Sequence, residues 1–128
     1  MRWDREWARG LVVGALVCVG CGSPTAPDLE IAPIVVESVE VQVLESFPPQ
    51  ASARVRGYIG DGCSTIHSVE QTRSGNTVTL TILRQRPADA ICIQIALVYD
   101  QTIRLQGSFP PGRYVLRVNG LETEFTTQ

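Results

Sequence analysis

Asp61, Ser64 and His67 fall within seven residues of one another, and their types are those of an orienting carboxylate, a nucleophile and a base. Acyl transfer would need the serine hydroxyl to reach the imidazole. On an extended chain, successive side chains alternate between faces, so positions 64 and 67 point opposite ways and the proton has no path between them. Asp61-Gly62 reads instead as a turn ahead of Cys63, and no Gly-x-Ser-x-Gly elbow is present. His67 is the single histidine, so a metal site there would have to recruit Asp61 or Glu70 together with ligands from distant strands. The chain also lacks a glycine-rich phosphate loop. These residues support no catalytic assignment; the chain reads as a non-enzyme with no metal and no cofactor.

Cysteine is the other reactive type, and there are four. Cys18 and Cys21 close an apolar run. Met1–Arg9 carries three arginines, and Leu11–Gly20 is an unbroken stretch of apolar and small residues. That is the layout of a secretory leader. About ten helical residues span roughly 15 Å, half of the ~30 Å hydrocarbon core, which disfavours a permanent membrane-spanning helix. The competing reading is a buried N-terminal helix, to which Asp4, Glu6, Trp3 and Trp7 lend weight.

Val17-Cys-Val-Gly-Cys21 resembles the lipobox of bacterial lipoproteins, in which small residues precede a cysteine that is lipidated and becomes the mature N-terminus. Gly20 fits the small position and Val19 is tolerated, whereas Cys18 stands where the family prefers leucine. The resemblance implies a signal peptide over residues 1–20 and lipidation at Cys21. Pro24, Pro27 and Pro33 with Gly, Ser and Thr between them read as a tether, over residues 21–33 with the lipidated cysteine, and the strand signals from Ile34 onward as one domain over residues 34–128. The resemblance also leaves Cys63 and Cys92 as the only thiols of an exported domain. An even pair outside the cytoplasm is expected to form one disulfide, closing a loop of about thirty residues and contributing about 3.5 kcal/mol by chain entropy. Two separate buried thiols are the alternative.

Arginine supplies every Lys/Arg-type charge, because lysine is absent. Arg54 and Arg56 share one strand face, as do Arg113 and Arg117. If their strands are neighbours, the two pairs form a basic stripe suited to an anionic headgroup or wall polymer. The favoured reading is intramolecular, with Glu40 and the acidic first strand pairing Arg54 and Arg56 across a hairpin. Residues 22–53 hold five acids and no base, and residues 54–117 hold eight arginines against four acids, so the balance gives no reason to expect nucleic acid binding.

Strands must position these groups. Val39, Val41 and Val43 alternate with Glu40 and Gln42, Ala51, Ala53 and Val55 with Ser52, Arg54 and Arg56, and Val78, Leu80 and Ile82 with Thr79 and Thr81. Ile91–Tyr99 is nearly all apolar, which predicts a central strand with Cys92 inside the core. Asn119-Gly120 predicts a type I′ turn between Tyr114–Val118 and Leu121–Phe125. Ser-Phe-Pro-Pro occurs at Ser46–Pro49 and again at Ser108–Pro111, either as an internal duplication or as strand ends whose Phe47 and Phe109 cover the two ends of the core.

Pro110–Gly120 resembles the final hairpin of bacterial immunoglobulin-like domains. With Asp61-Gly-Cys63 and Arg86–Cys92 it is similar to small exported bacterial lipoproteins that have no assigned activity. The expectation is an immunoglobulin-like antiparallel β-sandwich of seven to eight strands, anchored to the membrane by lipid and acting as a binding or structural module of the cell envelope. Its partner would be an envelope protein or polymer. The alternative is an inhibitor or accessory subunit whose loops, Gly60–Ser64 or Phe109–Gly112, enter a partner's cleft.

Overall fold

The computed structural model describes residues 28–128 without a break, together with Gly14, Gly20 and Gly22. The expected leader apart from Gly14 and Gly20, the expected lipidation position Cys21 and residues 23–27 of the expected tether lie outside the described residues. Eight strands follow in order: β1 (Leu29–Pro33), β2 (Val35–Leu44), β3 (Gln50–Gly60), β4 (Thr65–Ser74), β5 (Thr77–Pro87), β6 (Leu97–Arg104), β7 (Gly112–Val118) and β8 (Leu121–Thr127). They form two sheets, β2-β3-β6 and a five-stranded sheet of β1, β4, β5, β7 and β8. The expected all-β sandwich is therefore present, with no helix among the described residues.

Period-two alternation builds the core. Ala51, Ala53 and Val55 of β3 and Val78, Leu80 and Ile82 of β5 are buried, and their polar neighbours face out. Tyr114, Leu116 and Val118 of β7 and Phe125 of β8 complete the opposite wall. Phe109 fills the space between, meeting Tyr114 and Phe125 edge-on at centroid distances of 5.1 and 5.5 Å. The Tyr114 hydroxyl donates back to the Pro110 carbonyl at 2.6 Å and the Thr127 hydroxyl donates to the same oxygen at 2.8 Å, which pins the loop entering β7.

β5 organises the larger sheet. Its pairings with β4 overlap those with β1 at residues 83–85 and those with β7 at 77–80, so β1 and β7 must share the edge away from β4. The β5–β7 pair is parallel, which corrects the expectation of a wholly antiparallel sheet. A parallel neighbour arises because the chain leaves β6 in the other sheet and re-enters at the far end of β5.

Three other expectations are corrected. The sandwich starts at Leu29 rather than residue 34: β1 lies within the expected tether, because Leu29–Pro33 find open backbone on β5 between Leu83 and Pro87. Ile34, buried, then carries the chain across to the second sheet. Ile91–Ala96 forms no strand, and β6 is an edge strand that begins only at Leu97, where Gly60 offers the first partner. Phe47 projects fully into solvent while Phe109 is fully buried, so the two Ser-Phe-Pro-Pro copies are not equivalent ends of the core.

β2 departs from strict alternation. Val36, Val39 and Val41 all pack on the core although Val36 differs in parity from the other two, and a bulge between Val36 and Ser38 absorbs the extra residue. Gly57 sits opposite this bulge, where a Cβ would strike the Val35 carbonyl. Only glycine fits there.

Candidate functional site

The chemically dense part of the molecule is where two of the four crossovers between sheets among the described residues meet. One is Asp61–Ser64, from β3 to β4; the other is Ala88–Ala96, from β5 to β6. Cys63 and Cys92 join them as a disulfide. Beside it the Arg86 guanidinium donates to Asp61 Oδ2 at 2.9 Å, with both side chains about four-fifths buried. Arg86 also reaches the Ala90 carbonyl at 3.3 Å and Glu30 at 3.6 Å. The Gly62 amide donates to the Ile93 carbonyl at 3.0 Å.

Asp61 is the centre of this knot. Its partial burial opposes ionisation, but the Cys63 amide, the Ser64 hydroxyl and the Arg86 guanidinium all donate to it and hold its carboxyl below the usual range. Ser64 is buried and its hydroxyl is committed to Asp61 at 3.1 Å. His67 faces elsewhere, its Nδ1 2.8 Å from Gln85 Oε1. The three residues that suggested a hydrolase do not converge. Asp61, Cys63 and Cys92 do lie together, yet the two sulfurs are bonded to each other and offer no thiolate to a metal.

Cys92 is half-buried at the end of the sandwich, not inside it as expected, and this inverts the reading of its neighbours. Ile91, Ile93 and Ile95 are exposed, as is Val98 at the start of β6. The segment is not a strand, so no alternation governs it: apart from Cys92, residues 91–96 are exposed whatever their parity. Apolarity alone had suggested a buried strand.

The arginines do not form one stripe. Arg54 and Arg56 lie on β3 of the smaller sheet, and Arg113 and Arg117 lie on β7 of the larger one. Pairing is intramolecular, with a different acid from the one expected. Arg54 faces Glu40 in register but makes two hydrogen bonds, of 2.9 and 2.8 Å, to Asp100 on β6; Arg56 approaches the same carboxylate at 3.9 Å. The Arg54 hydrogen bond holds Asp100 below the usual carboxylate range, against a smaller opposing effect of burial. Arg117 pairs with Glu122 across the final hairpin at 2.9 Å.

The other end of the sandwich carries an open groove bordered by Val43, Leu44, Phe47, Pro49 and Thr126. Near it Arg73 lies 4.5 Å from the Phe109 ring centroid and donates to the Ser108 carbonyl at 2.7 Å. Gly60–Ser64 and Phe109–Gly112 thus belong to opposite ends, and Phe109 itself is core.

Residues 53–127 match the family model described as the ORF11 beta-sandwich domain. An uncharacterized 10.2 kDa protein in the HgiCIIM 5′ region of Herpetosiphon aurantiacus is 37% identical over 86 residues, covering 67% of this chain and 92% of that protein. Two more uncharacterized 10.2 kDa proteins of the same organism, in the HgiBIM and HgiEIM 5′ regions, are 35% identical over 74 residues, 58% of this chain and 90% of each. No solved structure matches.

Proposed function

The chain belongs to the ORF11 beta-sandwich family, and from that premise we propose that it is an exported lipoprotein, anchored to a bacterial membrane through Cys21, whose sandwich serves as a binding or structural module of the cell envelope. The observation that carries the reading is the Cys63–Cys92 disulfide, which ties the two crossovers and belongs to an oxidising compartment. The arginine-bearing, apolar leader ahead of Cys21 agrees with it. One acyl chain holds a protein to a bilayer only marginally, so stable anchoring needs the several chains of a processed lipoprotein. β2 and β6 are the edges of the smaller sheet and offer backbone to a strand from an envelope partner.

Intact mass of the protein from the membrane fraction of its host, with and without reductant, tests this reading. The expected species begins at Cys21, carries acyl mass and gains two hydrogens on reduction. An unprocessed chain beginning at Met1 with four free thiols overturns it.

A further inference from the structure

Resting on that reading, we infer that the crossover Ala88–Ala96 is a membrane-resting surface, whose Ile91, Ile93 and Ile95, with Val98, lie in the interfacial layer of the bilayer to which the chain is tethered. These four side chains are 102, 72, 50 and 69% exposed, an unusual outlay of large aliphatics on a segment closed by a disulfide and an ion pair.

The position of the tether selects the bilayer as occupant. The Ala88 amide donates to the Asp28 carbonyl at 2.9 Å, and Leu29 pairs with Pro87. The chain therefore enters the sandwich three residues from Ile91. Seven peptide links separate Asp28 from Cys21, which limits their separation to about 25 Å. An anchored domain must keep this end near the membrane, and the opposite end, with the Phe47 groove, points away. Tethering makes apolar contact with lipid intramolecular, so a surface too weak to bind a membrane alone still rests on it.

Two details favour lipid over a partner strand. The Ile93 carbonyl already accepts from both Gly62 and Ile95, so the middle of the segment has little ladder to share. Asp28 and Asp89 flank it with negative charge, so its attraction is apolar rather than for anionic headgroups.

The test uses the full protein purified from host membranes and reconstituted in phosphatidylcholine vesicles, with hydrogen exchange read by segment and intact mass read on the same sample. Relative to the full-length Cys21→Ser protein in buffer, residues 89–98 are expected to exchange at least about tenfold more slowly, with residues 105–111 unchanged and no dependence on salt. Ile91→Ser/Ile93→Ser is expected to abolish the protection; Ile91→Ser alone, at a side chain wholly in solvent, serves if the double variant unfolds. Acylated protein whose segment 89–98 stays unprotected overturns the inference and leaves the anchor standing. Protein without acyl mass overturns both. Protection that grows with protein concentration without vesicles assigns the surface to a second copy, and protection seen only with added envelope protein assigns it to a protein partner; either overturns the inference.

Discussion

The side-chain amide of Asn119 lies against the backbone of Ile82 in the place where a strand would be. Its Oδ1 accepts the Ile82 amide at 2.9 Å and its Nδ2 donates to the Ile82 carbonyl at 2.8 Å and to the Ile34 carbonyl at 3.1 Å. β7 has just ended at Val118 and β1 stops at Pro33, so β5 would otherwise be left with an open edge between them. One side chain closes the gap and ties the point where the chain changes sheets.

Replacing that amide should destabilise the fold without altering the turn. Asn119 has φ 46°, which glycine accepts freely, so Asn119→Gly removes the amide while relaxing the backbone. The Ile82 carbonyl keeps the Ile34 amide as donor, so two groups are orphaned, the Ile82 amide and the Ile34 carbonyl. At about 1–3 kcal/mol each they predict a loss of about 2–6 kcal/mol in urea unfolding. An unchanged midpoint would show that water replaces the amide at no cost.

The two Ser-Phe-Pro-Pro copies should respond oppositely. Phe109→Ala empties a fully buried ring site and is expected to cost about 3–5 kcal/mol. Phe47→Ala touches a ring in full solvent and should change stability by less than about 0.5 kcal/mol. Thermal unfolding of both variants decides whether the motif is a structural repeat or a coincidence of strand-end chemistry.

Opening the disulfide should be costly but local in its cause. Cys63 and Cys92 are 29 positions apart, and the chain-entropy estimate for such a loop is about 3.5 kcal/mol. Cys63→Ala/Cys92→Ala should therefore lose about that much in denaturant unfolding. A loss near zero would mean that the unfolded chain is already restricted around this loop without the disulfide.

Acid should weaken the same end as Asp61 is protonated. The Asp61 carboxyl is held below its ordinary 3.8 in the folded chain, so its contribution is complete above that value and is lost as pH falls through the lower folded value. Asp100 behaves alike on the outer face of the smaller sheet. Melting temperature recorded from about pH 6 to about pH 2 should fall less steeply for Asp61→Asn than for the native chain. Parallel curves would remove Asp61 from the acid response.

Positions such as Ala53, Leu80 and Leu116 show how much of the fold was legible in the sequence. Each sits in a run of strict alternation, and each is wholly buried, because period two and one dry face leave a strand only one way to lie. Asn119-Gly120 likewise determined the last hairpin, since two consecutive positive-φ residues permit few other turns. Cys63 and Cys92 were read as one disulfide because the leader and anchor left them as an even pair, although Cys92 was expected inside a strand and lies between two. The order of the chain placed Arg54 beside Glu40.

What pairs with what at long range was decided only in three dimensions. Arg54 chose Asp100 because β6 lies on the other side of β3 with that carboxylate two positions from its own register partner, a geometry no local pattern encodes. β7 runs parallel to β5, β1 joins the larger sheet, and Ile91–Ile95 turn to solvent, all because strand edges are filled by whichever segment reaches them with backbone to spare. Local periodicity reports which face of a strand is dry. It carries no record of which neighbour makes it so, and that depends on closure of the whole sandwich.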